Sequence, residues 1–296
     1  MLSLTASSRT LSRHPRLHGA FRVAFWVFAG SIAFSVAGMI LLMVVPSTLA
    51  FFGPYLQALV VAPTWTYMAL MPVLPLLMYA PVLGGRRLAF FFAWGCLIGL
   101  SGELLGTTTG MPFGEYAYTQ WLGAKIGGHV PYFIPPSWFA MSILSLDLAR
   151  RTTSRRTSRI VLATVFMVLW DVSLDPAMNG AGAMFGDGAV VGGIDRFWSY
   201  PPADAFKFYY GMPLSNWLGW FAVALVIEAG YELIGGGLAE SSRHAPVVYF
   251  LNCLFPLLLC LMYGLFVPFL VGAAVTAVPL GAARWMPRHL ERSVHA

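Results

Sequence analysis

Residues 155–176 read RRTSRIVLATVFMVLWDVSLDP. An arginine-rich opening gives way to an apolar run that ends on two carboxylates, Asp171 and Asp175. A helix that crosses a bilayer needs about 20 mostly apolar residues. The stretch 160–178 supplies one, which makes the two acids residues of a membrane helix. A carboxylate there is costly and is a functional candidate by default.

The rest of the chain repeats this pattern. It has 296 residues, of which 58% are hydrophobic and 10% charged, and its mean hydropathy is +0.72. Soluble domains carry about 25% charged residues, so the composition specifies an integral membrane protein. Spans are expected at 21–45, 55–82, 88–105, 130–148, 160–178, 214–234, 245–262 and 264–283. The fold class is therefore all-α: a polytopic bundle of about eight helices. One transmembrane domain (21–283) lies between a basic N-terminal tail (1–20) and a basic C-terminal tail (284–296). The first run is too long for a signal-peptide core and lacks a clear cleavage site, so it reads as a retained helix.

Charge sets the orientation. With the N-terminus in the cytoplasm, the inner segments hold 15 of the 18 basic residues, and only Lys125, Arg196 and Lys207 fall outside. This bias matches the positive-inside rule and places both termini in the cytoplasm of a multi-pass plasma or inner membrane protein. The net charge of +6 then follows from basic loops and calls for no nucleic-acid partner.

Six of the twelve acids fall in or beside the spans: Glu103, Asp147, Asp171, Asp175, Glu228 and Glu232. Asp147 and Glu232 sit at inner ends near arginines, where ion pairing accounts for them. Glu228 lies deeper, one turn before Glu232. Glu103, Asp171 and Asp175 belong to the outer level, joined there by Asn216. Spacing of four puts Asp171 and Asp175 on one helix face. Pro176 disfavours helical geometry at Asp175, so the helix is expected to end there.

The outer segments are also aromatic, with Tyr116, Tyr118, Trp121, Tyr132, Trp138, Trp198, Tyr200, Tyr209, Tyr210, Trp217 and Trp220. An interfacial belt explains most of them. A mouth for a hydrophobic ligand, or rings facing a carbocation, explains the others. The tripeptide Gly-Met-Pro occurs in two outer segments, at 110–112 and 211–213.

Nucleotide-binding, zinc-protease and nucleophile-elbow motifs are missing. The six histidines lie outside the spans without metal-ligand spacing. Cys96, Cys253 and Cys260 form neither a CxxC pair nor a disulfide framework. What remains is carboxyl groups, an amide, aromatic rings and water, a set suited to acid–base chemistry on a hydrophobic substrate.

Four segments, GELLGTTTGMPFGEYAYT (102–119), LGAKIGGHVPYFIPPSWF (122–139), LWDVSLDPAM (169–178) and YYGMPLSNWLGW (209–220), carry a resemblance. In this order they resemble the membrane carotenoid hydratases of the CruF type, which include carotenoid 1',2'-hydratases and bisanhydrobacterioruberin hydratases. The resemblance implies addition of water to the terminal C1'=C2' isoprenoid double bond of an acyclic carotenoid end, on a lycopene-like, monocyclic or longer carotene. The product is a tertiary alcohol.

Chemistry suggests the roles. Hydration of such an alkene needs a proton on one carbon and water on the more substituted one. Two close carboxyls naturally share one proton. Asp171 is expected to be the general acid, with Asp175 or Glu103 as the partner that orients water. Asn216 is expected to hold that water, and Tyr116, Trp170, Trp217 and Trp220 to line the substrate site. No cofactor or metal is expected. The expected partners are the carotenoid, water, membrane lipid and carotenoid-pathway enzymes. Two other classes stay open. An intramembrane prenyltransferase would use Asp171 and Asp175 to hold magnesium diphosphate, and a hydrophobic-substrate transporter would use the intramembrane acids.

Overall fold

The structure is a computed structural model that describes residues 11, 14–180, 196–200 and 208–293. Expectations about Arg9, Arg13, Lys207 and residues 294–296 lie outside them. The elements run α1 (Pro15–Val44), α2 (Thr48–Phe52), a 3₁₀ turn (Gly53–Tyr55), α3 (Leu56–Thr109), β1 (Ala117–Tyr118), a second 3₁₀ turn (Gln120–Leu122), β2 (Lys125–Ile126), β3 (Val130–Pro131), α4 (Ile134–Thr152), α5 (Arg156–Met178), β4 (Trp198–Ser199), α6 (Leu214–Leu233), α7 (Ala245–Met262) and α8 (Phe266–Ser293). The protein is all-α and built for a membrane. Five stretches are long and apolar enough to cross one: Pro15–Leu42, Ala50–Thr109, Arg156–Met178, Ala245–Met262 and Phe266–Arg284.

Three expectations need correction. The spans at 55–82 and 88–105 form one 54-residue run, α3, divided only at Gly84. Gly84 takes φ 68° and ψ 166°, a backbone that glycine reaches without steric cost. The span at 130–148 begins four residues late, because Val130–Pro131 pairs with Lys125–Ile126 as a short hairpin. Finally, Pro176 does not end its helix. α5 continues to Met178 and is capped by the Asn179 N–H on the Asp175 carbonyl at 2.9 Å. Proline lacks one N–H donor and crowds one carbonyl a turn back, and membrane helices absorb such losses through neighbouring contacts. Asp175 is therefore a helical residue one turn above Asp171.

α4 is the central helix. Sixteen of its side chains are buried, and it packs against α3, α5, α7 and α8. A helix apolar on all faces belongs in the middle of a bundle. The second half of α3 reaches it through small residues. Gly95, Gly99, Gly102 and Gly106 recur at helical spacing on one face and are buried, as in close helix packing in membranes. A Cβ on Gly99 would stand 2.5 Å from Trp138 Cγ. A Cβ on Gly106 would stand 2.8 Å from Tyr116 Cε1.

The two ends of the bundle differ. At the inner end, Asp147 accepts from Tyr79 Oη (2.8 Å), Arg151 Nε (2.8 Å) and the Ser242 N–H (2.6 Å). Arg159 makes a two-pronged pair with buried Glu232, both contacts at 2.8 Å. Arg87 donates to the carbonyls of Gly235 and Gly237. These bonds fix the 234–244 turn and leave both acids fully engaged. At the outer end, β1 pairs with β4, placing Tyr118 opposite Trp198, and the Phe197 N–H donates to the Met178 carbonyl at 2.8 Å. The segment 196–200 is thereby laid over the ends of α3 and α5.

Candidate active site

Under that outer cover lies a cavity of about 760 Å³. Glu103 enters it from α3, Asp175 from α5 and Asn216 from α6. Trp138 of α4, Trp170 of α5 and Trp220 of α6 form its aromatic side. Trp138 and Trp220 stack at 4.3 Å, and Trp170 meets Trp220 edge-on at 5.9 Å. The lining otherwise consists of apolar, aromatic and hydroxyl side chains, and the described residues place no Lys, Arg or His in it.

Each carboxyl is held by groups that only donate to it. Glu103 Oε2 accepts from the hydroxyls of Tyr116 and Tyr118, the latter at 2.8 Å, and Oε1 accepts from Trp138 Nε1 at 2.9 Å. Asp175 Oδ1 accepts from Trp198 Nε1 at 3.0 Å, and Oδ2 accepts from Asn216 Nδ2. Tyr200 Oη donates to Asn216 Oδ1 at 2.7 Å, which fixes the amide so that its NH₂ faces Asp175. The glycine face of α3 makes this possible, since Gly99 admits Trp138 and Gly106 admits Tyr116 beside Glu103.

The loop phenols remain donors. Burial pushes Tyr116, Tyr118 and Tyr200 above the ordinary tyrosine range. The charge of Glu103 beside the first two, and of Asp175 beside the third, pushes the same way.

Asp171 sits differently. It is fully buried, lies beside Asp175 and Asn216, and does not line the cavity. Among the described residues neither of its oxygens accepts from an N–H or hydroxyl donor. Its polar neighbour Asp175 is itself an acid, and two carboxyls form a hydrogen bond only when one carries a proton. Trp217 also stays out of the lining. It packs edge-on against Tyr209 at 5.7 Å, and its indole N–H has no partner among the described residues. Of the eight residues singled out in the sequence, Glu103, Asp175, Asn216, Tyr116, Trp170 and Trp220 converge on one cavity. Glu228 is remote from that set. It is buried on α6 with neither oxygen partnered among the described residues. Those residues include no group of three or more His, Cys, Asp or Glu placed to hold a metal ion.

Four side chains at the carboxyls carried a sequence signal that was read too broadly. Tyr118, Trp138, Trp198 and Tyr200 were grouped with the interfacial belt, yet each buries a hydroxyl or indole N–H that needs a partner. Thr64, Tyr67 and Phe255 also line the cavity, and they come from spans with no distinguishing pattern.

The family described as carotenoid biosynthesis protein matches residues 58–279. The chain belongs to that family. The matched range contains every residue placed in the cavity, from Thr64 to Phe255. A curated relative, the bisanhydrobacterioruberin hydratase of Haloarcula japonica, is 30% identical over 152 residues, which is 49% of this chain and 45% of the relative. The alignment thus spans less than half of that protein's length. No solved structure matches the chain. For this member of the carotenoid biosynthesis family, the paired acids and aromatic wall are the part of the fold equipped for chemistry.

Proposed function

We propose that this protein adds water across the terminal double bond of an acyclic carotenoid end and yields a tertiary alcohol. One observation carries the reading. Carboxyls from two different helices, Glu103 and Asp175, face one apolar, aromatic cavity in a chain of the carotenoid biosynthesis family. The relative's name supplies the reaction class.

The residues divide the work as follows. Asp171 and Asp175 share one proton, and Asp175, which faces the cavity, delivers it to the less substituted alkene carbon. Positive charge then develops on the tertiary carbon. The stacked Trp138 and Trp220 faces stabilise it, as aromatic quadrupoles attract cations. Glu103, surrounded by three donors, serves as the fixed anion. Water held by Asn216 attacks the cation, and the proton it releases returns to the aspartate pair. The pair is restored after each turnover, and no cofactor is consumed. General acid–base help of this kind contributes about 10²–10⁴-fold. The sequence alone favoured Asp171 as the acid, whereas the cavity lining favours Asp175 as the group that meets substrate, with Asp171 as its proton-sharing neighbour.

The same proposal sets the chain in the plasma or inner membrane with eight crossings, Gly84 dividing α3 into two, and with both termini cytoplasmic. The inner clustering of arginines around Asp147 and Glu232 supports that orientation. A diphosphate substrate finds little support, because such a ligand calls for basic side chains and none lines the cavity among the described residues.

The test is expression in a host that accumulates an acyclic carotene, followed by mass analysis of the pigments. The expected product gains the mass of one water. A pigment that gains a prenyl unit, or one unchanged despite folded protein, contradicts the reading.

A further inference from the structure

A second cavity, of about 1220 Å³, lies between α1 and the start of α3 and reaches the end of α7. It meets the first at three shared wall residues, Thr64, Phe197 and Phe255. No charged side chain lines it. The hydroxyls of Ser35 and Thr64 donate to their own helix, to the carbonyls of Ser31 (3.0 Å) and Val60 (2.9 Å). The walls therefore offer hydrocarbon. Phe34 and Leu41 of α1 line the cavity and are also 52% and 41% exposed, so it opens through the side of the bundle.

We propose that this second cavity holds the hydrocarbon arm of the substrate whose end reacts in the first, and that the arm enters sideways from the lipid between α1 and α3. The identity of the reacting end rests on the hydration reading. The arm site rests on the junction of the two cavities. All the acids lie on one side of that junction, so a long substrate has one orientation in which its reactive end meets them.

Selection here works by exclusion. Lipid is as apolar as the cavity, so moving a hydrocarbon arm from one to the other yields little hydrophobic gain. A polar group on the arm would instead be buried without a partner, which is unfavourable. The site thus takes arms that are long, slender and unfunctionalised.

Gly38 provides the test. It lines the second cavity, and a Cβ built on it meets nothing within 4 Å. Gly30, two turns earlier on α1, is exposed, equally free of neighbours and outside the cavity lining. Gly38→Phe therefore fills the cavity, and Gly30→Phe controls for the added ring. The variants are placed in lipid nanodiscs, and binding is read as quenching of tryptophan fluorescence. One ligand is a full-length acyclic carotene, and the other is a truncated polyene with the same end. Gly38→Phe is expected to weaken the long ligand by at least roughly tenfold and to leave the short one within twofold of wild type. Gly30→Phe is expected to leave both unchanged. Equal affinities for the long ligand in Gly38→Phe and wild type, or parallel loss of both ligands, would overturn the arm site. The expected binding pattern without any hydrated product would support the arm site and contradict the hydration reading, so the two fail separately.

Discussion

Asp175 is the residue on which the chemistry turns. It takes two donors, Trp198 and Asn216, and faces the cavity, while Asp171 lies behind it with no fixed donor. Asp175→Asn keeps the size and removes the proton. It is expected to lower hydration by about 100-fold or more, the usual scale for a general acid, with normal membrane insertion measured by yield after solubilisation. The neighbouring phenols give a second test. Tyr116, Tyr118 and Tyr200 are raised in the folded state by burial and by the adjacent carboxyls. A raised acid favours the protonated form when folded, so its contribution is intact below the ordinary value near 10. It declines only as pH climbs past that point. Phenolate absorbance from these three is expected to appear above pH ~10 in the native protein and near 10 after denaturation. Native titration at the ordinary value would mean the donors around Glu103 and Asn216 are exposed.

At the scale of elements, the glycine face of α3 sets the site by letting α4 come close. Gly99→Leu would drive a side chain into Trp138, where even a Cβ stands 2.5 Å from Cγ. Overpacking of this sort costs roughly 1–3 kcal/mol, and here it also displaces the indole that donates to Glu103. The expected result is reduced thermal stability and loss of hydration. Adding Trp138→Leu is expected to recover stability but not turnover, because the donor to Glu103 stays missing. The inner end has its own pH dependence. Burial and the nearby Arg243 lower His244, at the start of α7, from 6.5 to about 4, and its ring packs on Phe21 at 4.6 Å. The unfolded chain binds the proton first, so stability is complete above about pH 6.5 and falls as pH drops toward 4. His244→Phe is expected to flatten that acid limb in a thermal-melt series. An unchanged limb would assign it to other groups.

Across the whole molecule, the apolar runs made the helical membrane architecture legible, since length and hydropathy are local quantities. The intramembrane acids marked the level of the site for a similar reason, because their burial demands an explanation. Three things were hidden. The continuity of α3 depends on how one glycine turns at Gly84. The passage of α5 through Pro176 depends on neighbours that absorb the lost hydrogen bond. The donors to Glu103 and Asp175 come from loops and helices far apart in sequence, so the aromatic residues that matter could not be separated from a membrane belt. The same limit explains why Asp171 looked like the exposed acid. Which of two residues on one helix face meets a cavity is decided by the packing of the other helices.

The most direct measurement supplies purified protein with an acyclic carotene in oxygen-18 water and records the mass of the product. Wild type is expected to give a tertiary alcohol carrying one labelled oxygen, and Asp175→Asn to give almost none. An unlabelled alcohol, or full labelled product from Asp175→Asn, would contradict acid-catalysed addition of water at this site.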